Sequence, residues 1–297
     1  MKSIIILCLI AFAVANYTNQ PLFTEEKLRE LQEIAPFEVT NYEDNQFRGW
    51  TLGDAMDWLS EEMDQNPMPV VPNTHYPLKA PKSFDAREEW PECVHAIRDQ
   101  QHCGSCYAFG GANAISDRYC ISGKNLILSP QDIVSCSPQY GCQGGWITVT
   151  FQYIAETGIP TDSCVPYVSG DGHVPACASK CVDGTEFKRY KCKSGSYFKT
   201  YTIDQIKDEM SNNGPVEARF DVYEDFMAYK SGVYTHVQGS RLGGHAIKCL
   251  GYGNAEGKDY WICANSWGLD WGMSGYFNID MMTCGISNYM TGCTPNL

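Results

Sequence analysis

Hydrophobic spacing divides the chain into an earlier part with helical period and a later part with alternation. From Cys106 onward, Ala108, Ala112, Ile115 and Tyr119 recur on one helical face. Gly104 and Ser105 ahead of them suit a tight turn into that helix. Ser129-Pro130 reads as a cap and a first-position proline opening a second helix. Residues 145–157 carry Ile147, Phe151 and Ile154 on a third face, which stops before Gly158. Thr202 with Gln205 caps a further helix bearing Ile203, Ile206 and Met210, ended by Asn212-Asn213-Gly214-Pro215. There the period falls to two: Val216, Ala218, Phe220 and Val222 alternate with Glu217, Arg219, Asp221 and Tyr223. More strands are expected over residues 232–237, 245–252, 258–264 and 275–279. Helices followed by strands imply an α+β architecture.

The first 82 residues read differently. Met1-Lys2, an apolar run over residues 4–15 and the small-residue end Ala13-Val14-Ala15 have the form of a secretory leader. A run of about 12 residues is too short to span a bilayer. Residues 16–82 are acidic and carry two helical stripes. Leu28, Leu31 and Ile34 form one; Thr51 with Asp54 begins another, leading into Met56, Leu59 and Met63. Pro67, Pro69, Pro72, Pro77 and Pro81 mark an extended linker. The expected division is a leader over 1–15, a separate segment over 16–82 and a main domain over 83–297. Asn16-Tyr17-Thr18 is a glycosylation sequon, weakened by its closeness to the leader.

Composition narrows the partners. With 297 residues the chain can bury a large core, and its net charge of −13 argues against nucleic acid and anionic membrane surfaces. We read it as a soluble monomer. Its 15 cysteines fit an oxidising compartment, so the secretory pathway is expected, ending in a lysosome-like vesicle or outside the cell. Their spacings do not form the two close pairs of a zinc site, and no cofactor or metal is called for.

The chemistry centres on Cys106. In the first turn of a helix, free N–H groups and the helix dipole stabilise an anion, and the thiolate is the reactive form of cysteine. Around it stands Gln100-Gln101-His102-Cys103-Gly104-Ser105-Cys106-Tyr107-Ala108-Phe109. Further matching stretches are Ser83-Phe84-Asp85-Ala86-Arg87, Gly141-Cys142-Gln143-Gly144-Gly145, Gly243-Gly244-His245-Ala246-Ile247 and Ala264-Asn265-Ser266-Trp267-Gly268. In this order they resemble the papain family of cysteine proteases, and within it the cathepsin B-like members.

That resemblance implies two lobes, a helical N-terminal one and a β-barrel-like C-terminal one, with the active cleft between them. It implies a cysteine endopeptidase made as a secreted zymogen that acts on peptide and protein substrates. Cys106 is then the nucleophile, His245 its base, Asn265 the residue orienting the His, and Gln100 the oxyanion donor. His102 lies in the turn before the helix and lacks the context that His245 has. Trp267 would shield the His–Asn bond; Gly144, Gly145, Trp146, Ala246 and Ser287 would line the substrate subsites. The resemblance pairs Cys93 with Cys120, Cys103 with Cys142, Cys136 with Cys177 and Cys164 with Cys181. It leaves open Cys192, Cys249, Cys263, Cys284 and Cys293, at least one of them unpaired. Residues 16–82 become an inhibitory prosegment, and cystatin-like proteins become expected inhibitors.

Two departures matter. Cathepsin B grips a substrate's C-terminal carboxylate with two adjacent histidines on a long loop. Here residues 164–181 are short and hold only His173. Dipeptidyl carboxypeptidase activity is therefore the alternative to an open endopeptidase cleft. At the pocket floor Ser287 stands where the family has Glu, so apolar residues are expected there over Arg. A third reading, a thiol-disulfide oxidoreductase, would use Cys103 and Cys106 as a Cys-x-x-Cys pair.

Overall fold

The structure is a computed structural model that describes residues 16–59 and 80–297. The leader over 1–15, Met63 and the proline-rich linker before Ala80 lie outside the described residues. In the N-terminal segment, helix α1 (Glu25–Ile34) is capped by Thr24, whose side chain accepts from the Lys27 N–H. Leu28 and Leu31 are buried, while Ile34 is 56% exposed, so the expected stripe narrows to two residues at the helix end. Strand β1 (Glu38–Val39) follows. Helix α2 (Leu52–Trp58) opens with the reciprocal capping box of Thr51 and Asp54 that the sequence suggests.

The main domain begins with β2 (Phe84–Asp85) and a one-turn helix α3 (Ala86–Glu89). Helix α4 (Cys106–Ile121) is its axis, buried from Cys106 through Cys120 apart from Asn113. Helices α5 (Pro130–Cys136) and α6 (Ile147–Glu156) pack on it, joined through Ile115, Ile133, Ile147, Phe151 and Ile154 in one apolar cluster. Ser129 accepts from the Asp132 N–H at α5, and Pro130 takes the first position, where no backbone donor is lost.

After β3 (Phe198–Thr200), helix α7 (Ile203–Asn213) leads to the β lobe. Its strands are β4 (Val216–Tyr223), β5 (Tyr229–Ser231), β6 (Val233–Tyr234), β7 (Arg241–Ala255), β8 (Lys258–Ala264), β9 (Tyr276–Asp280) and β10 (Met290–Gly292). The sheet runs β3-β10-β4-β7-β8-β9-β6, with β2 added along β7. The neighbours are antiparallel except β6 with β9. The strand expected over 232–237 is shorter, because Gly232 adopts φ +88° and separates β5 from β6.

Two polar anchors tie the lobes together. Arg118 on α4 is buried and donates to the carbonyls of Pro215 (2.6 Å), Gly214 (3.0 Å) and Cys293 (3.1 Å), and to Glu209 Oε1 (2.9 Å). Lys248 on β7 meets Asp117 on α4 at 2.5 Å. Buried charges persist only when paired in this way. The N-terminal segment lies on the β lobe. Its β1 pairs antiparallel with β5, and Leu28, Leu31, Phe47, Leu52 and Trp58 join the core formed by Phe220, Phe226, Trp267 and Phe277.

Candidate active site

The turn before α4 is fixed before the helix begins. Cys103 is disulfide-bonded to Cys142, and the Gly104 N–H donates to the Cys142 carbonyl at 2.9 Å. Ser105 occupies the cap position without a side-chain capping bond; its hydroxyl instead meets the Tyr167 hydroxyl at 3.0 Å. No side chain caps α4, and Cys106 stands in its first turn. It is buried and belongs to no disulfide. This is a position that favours a thiolate.

Gln100 is fully buried beside this turn. Its Oε1 accepts from the Ser266 hydroxyl at 2.7 Å, and its Nε2 donates to the Cys103 carbonyl at 2.9 Å. A primary amide has two N–H donors, so this arrangement leaves a second one for another acceptor. Its backbone is held equally: its N–H donates to the Ser266 carbonyl, and its carbonyl accepts from the Tyr167 hydroxyl.

His245 comes from the opposite lobe on β7, a strand that packs along α4. Its ring is fully buried, with Nε2 2.7 Å from Asn265 Oδ1. That same oxygen accepts from the Ser266 N–H at 2.9 Å, so it acts as an acceptor and Nε2 must donate. The neutral ring then carries its proton on Nε2 and keeps a lone pair on Nδ1, which has no hydrogen-bond partner among the described residues. Ala246, the next residue, shares one buried cluster with Cys106. Trp267 lies over the imidazole with ring centres 4.7 Å apart. Burial pushes the His245 pKa down to about 4, against a smaller opposing effect of Asn265.

The N-terminal segment contributes to this burial. Trp58 stacks on Trp267 at 4.9 Å and donates from Nε1 to the Gln101 carbonyl at 2.5 Å. Leu59 follows directly onto Gly243: a Cβ there would lie 1.9 Å from the Leu59 carbonyl oxygen. Glycine is therefore required at 243 for the N-terminal segment to pass.

Around the site, Gly144 adopts φ +104° and a Cβ on Gly145 would strike Gln139 Oε1 and Tyr107. Trp146 caps α6 and its ring meets Tyr140 edge-on at 5.4 Å. Ser287 is displaced from the expected pocket. Its hydroxyl accepts from Trp261 Nε1 (2.9 Å) and donates to the Met281 carbonyl (2.7 Å), facing a groove shared with Tyr201, Lys207 and Met282. The turn over 283–288 closes before β10, so Tyr289, two positions on, joins the cluster of Cys106, Ile147 and Ala246. The sequence signal for Tyr289 was its place at the entry to β10, which no alternation in so short a strand reveals.

Among the described residues, five disulfides join Cys93–Cys120, Cys103–Cys142, Cys136–Cys177, Cys164–Cys181 and Cys192–Cys293. Cys249, Cys263 and Cys284 are outside disulfides. Because Cys103 is bound to Cys142, Cys103 and Cys106 do not form a redox dithiol. Among the described residues, Asp132, Cys136 and Cys177 come close enough together to suggest a metal site, but the two sulfurs are bonded to each other. His102 and His173 are exposed and lie away from the His245–Asn265 pair in sequence and hydrogen bonding.

Comparison with known proteins gives the family. The model of the papain family cysteine proteases matches residues 80–294. Cathepsin B-like CP3 of Giardia intestinalis is 44% identical over 225 residues, covering 72% of this chain and 74% of that protein. Cathepsin B-like cysteine proteinase 4 of Caenorhabditis elegans is 40% identical over 254 residues, covering 73% of this chain and 76% of that one. Among solved structures, procathepsin B S9 from Trypanosoma congolense superposes with a TM-score of 0.85 at 31% identity, over 93% of this chain and all of that one.

Proposed function

The chain belongs to the papain family of cysteine proteases and is cathepsin B-like, and on that premise we propose that it is a zymogen of a cysteine endopeptidase whose nucleophile is Cys106. The observation that carries this reading is the buried His245, with its Nε2–H committed to Asn265 and its Nδ1 left as the base. In the reaction Nδ1 takes the Cys106 proton. The thiolate attacks the scissile carbonyl, and the Cys106 N–H with the spare Gln100 Nε2–H receives the developing oxyanion. His245 then protonates the leaving amine, and water releases the acyl group by the reverse sequence.

Residues 16–82 act as the prosegment. While Trp58 and Leu59 cover the site, a His245 pKa near 4 keeps the ring neutral above that pH, and a neutral thiol is a poor nucleophile. The leader-like start and the five disulfides support synthesis on the secretory pathway.

The cleft is read as open. No adjacent His pair occurs in the sequence, so endopeptidase action is favoured over release of C-terminal dipeptides. Tyr289, in place of the expected Ser287, borders the pocket for the second residue before the cut, together with Ala246. Neither brings a carboxylate, so apolar side chains are preferred there over Arg. A peptide-library cleavage profile on the matured enzyme, paired with covalent labelling by an epoxide thiol inhibitor, tests the whole reading. Internal cleavage after apolar–X pairs, with Cys106 labelled, is expected. Predominant release of C-terminal dipeptides, or Arg dominating that position, would overturn it.

A further inference from the structure

His102 takes no part in the reaction above, yet its backbone is held from several directions at the mouth of the cleft. Its N–H donates to the Gly170 carbonyl at 2.9 Å, and its neighbour Cys103 is disulfide-bonded to Cys142. On the other side, Gln101 adopts φ +52°, its N–H donates to Asp99 Oδ1 at 2.8 Å, and its side chain presses on Gly170, where a Cβ would lie 2.0 Å from Gln101 Oε1. A backbone so constrained fixes the point from which the side chain extends. The imidazole is exposed, with its ring centre 6.2 Å from that of Trp50.

Two adjoining hollows share this ring. One, of about 380 Å³, is lined by Trp50, Asp54, Asp57, Trp58, Gly104 and Cys142 besides His102. The other reaches Asp99, Gln101 and Trp267. Two features identify what passes there. First, Trp267 covers His245, the group that protonates the leaving amine, so substrate residues after the scissile bond leave on this side. Second, the prosegment brings two acids, Asp54 and Asp57, into the hollow with His102. Asp54 is held ionised, its pKa lowered by hydrogen bonds from the Thr51 backbone and hydroxyl. Asp99, the acid belonging to the main domain, directs Oδ1 to the Gln101 N–H.

We propose that His102 is a specificity residue for the leaving side: it receives a carboxylate within two residues after the cut, and in an internal peptide that carboxylate is an Asp or Glu side chain. The prosegment acids occupy the place that such a side chain takes in the substrate. This inference rests on the endopeptidase reading of Cys106 and His245.

The test uses enzyme matured from the full chain and quenched peptides with amidated ends, at about pH 5.5. Peptides carry Glu or Gln at the first or second position after the cut, and a further pair ends there in a free or an amidated carboxyl group. For the natural enzyme, kcat/KM for Glu over Gln is expected to be about threefold to fivefold, the size of an exposed charge pair. His102→Ala should bring the ratio to about one, and His102→Lys should restore it; a ratio cancels any general loss of turnover. A ratio of one in the natural enzyme, or one that survives His102→Ala, would overturn the proposal. So would an advantage confined to free C-termini. Absence of turnover on every peptide would instead refute the endopeptidase reading, and this inference with it.

Discussion

Replacing Trp58 by alanine should unlock the zymogen. In the covered form this side chain is buried, stacks on Trp267 at 4.9 Å, meets Phe47 and Trp50 edge-on at 5.3 and 5.1 Å, and donates to the Gln101 carbonyl. Truncating a buried Trp to Ala costs about 3–5 kcal/mol. If about 3 kcal/mol of that falls on docking rather than on the segment's own packing, the covered state loses about 100-fold in population relative to the open one. The readout is the rate at which a fluorescent epoxide labels Cys106 in the intact zymogen at neutral pH, where it reports the open fraction. Trp58→Ala should label about 100-fold faster than the natural zymogen. Ile34→Ala, at a position that is 56% exposed, should label at the natural rate. A Trp58→Ala rate within threefold of the natural one would refute the reasoning, because the stack on Trp267 would then not be what covers the site.

Gln100→Ala in the matured enzyme should lower kcat by about 10²–10³, the usual effect of losing one oxyanion donor, with little change in labelling of Cys106. Acid should weaken the covered form through His245. Its folded pKa of about 4 lies below the unfolded 6.5, so the unfolded chain binds the extra proton between those values. Stability is therefore full above about pH 6.5 and falls by up to ~3 kcal/mol as pH drops toward 4. Thermal melts of the zymogen should show this slope, and His245→Gln should flatten it. Removing the Cys192–Cys293 bond with paired Ser substitutions opens a loop of 101 residues and should cost about 4–5 kcal/mol, read as a lowered denaturant midpoint.

Much of this site could be read from the chain. The helix starting at Cys106, the caps at Ser129 and Thr202 and the strand from Val216 follow from local rules, because each is set by neighbours a few residues away. The family resemblance supplied the partners on the other lobe, which no periodicity could. What stayed hidden depended on contacts between distant segments. The pairing of β1 with β5, the Trp58–Trp267 stack and the close approach at Gly243 each involve residues of the N-terminal segment, whose two-residue strand has no pattern to detect. That Tyr289, which the sequence reading does not single out, joins the cluster of Cys106 and Ala246 has a related reason: the turn over 283–288 decides which residue faces inward, and its geometry comes from bonds to Trp261 and Met281. The supports of Gln100, Ser266 and Tyr167, come from segments remote in sequence.

The central claim is that the imidazole of His245 keeps the sulfur of Cys106 charged in the matured enzyme. The most direct measurement is the pH dependence of Cys106 alkylation by iodoacetamide, followed by intact mass, in the natural enzyme and in His245→Ala. The natural enzyme should react as a thiolate down to about pH 5.5. In His245→Ala the sulfur loses the group that takes its proton, so its profile should move to higher pH and its rate at pH 5.5 should fall by at least about tenfold. Coincident profiles for the two proteins would contradict the account.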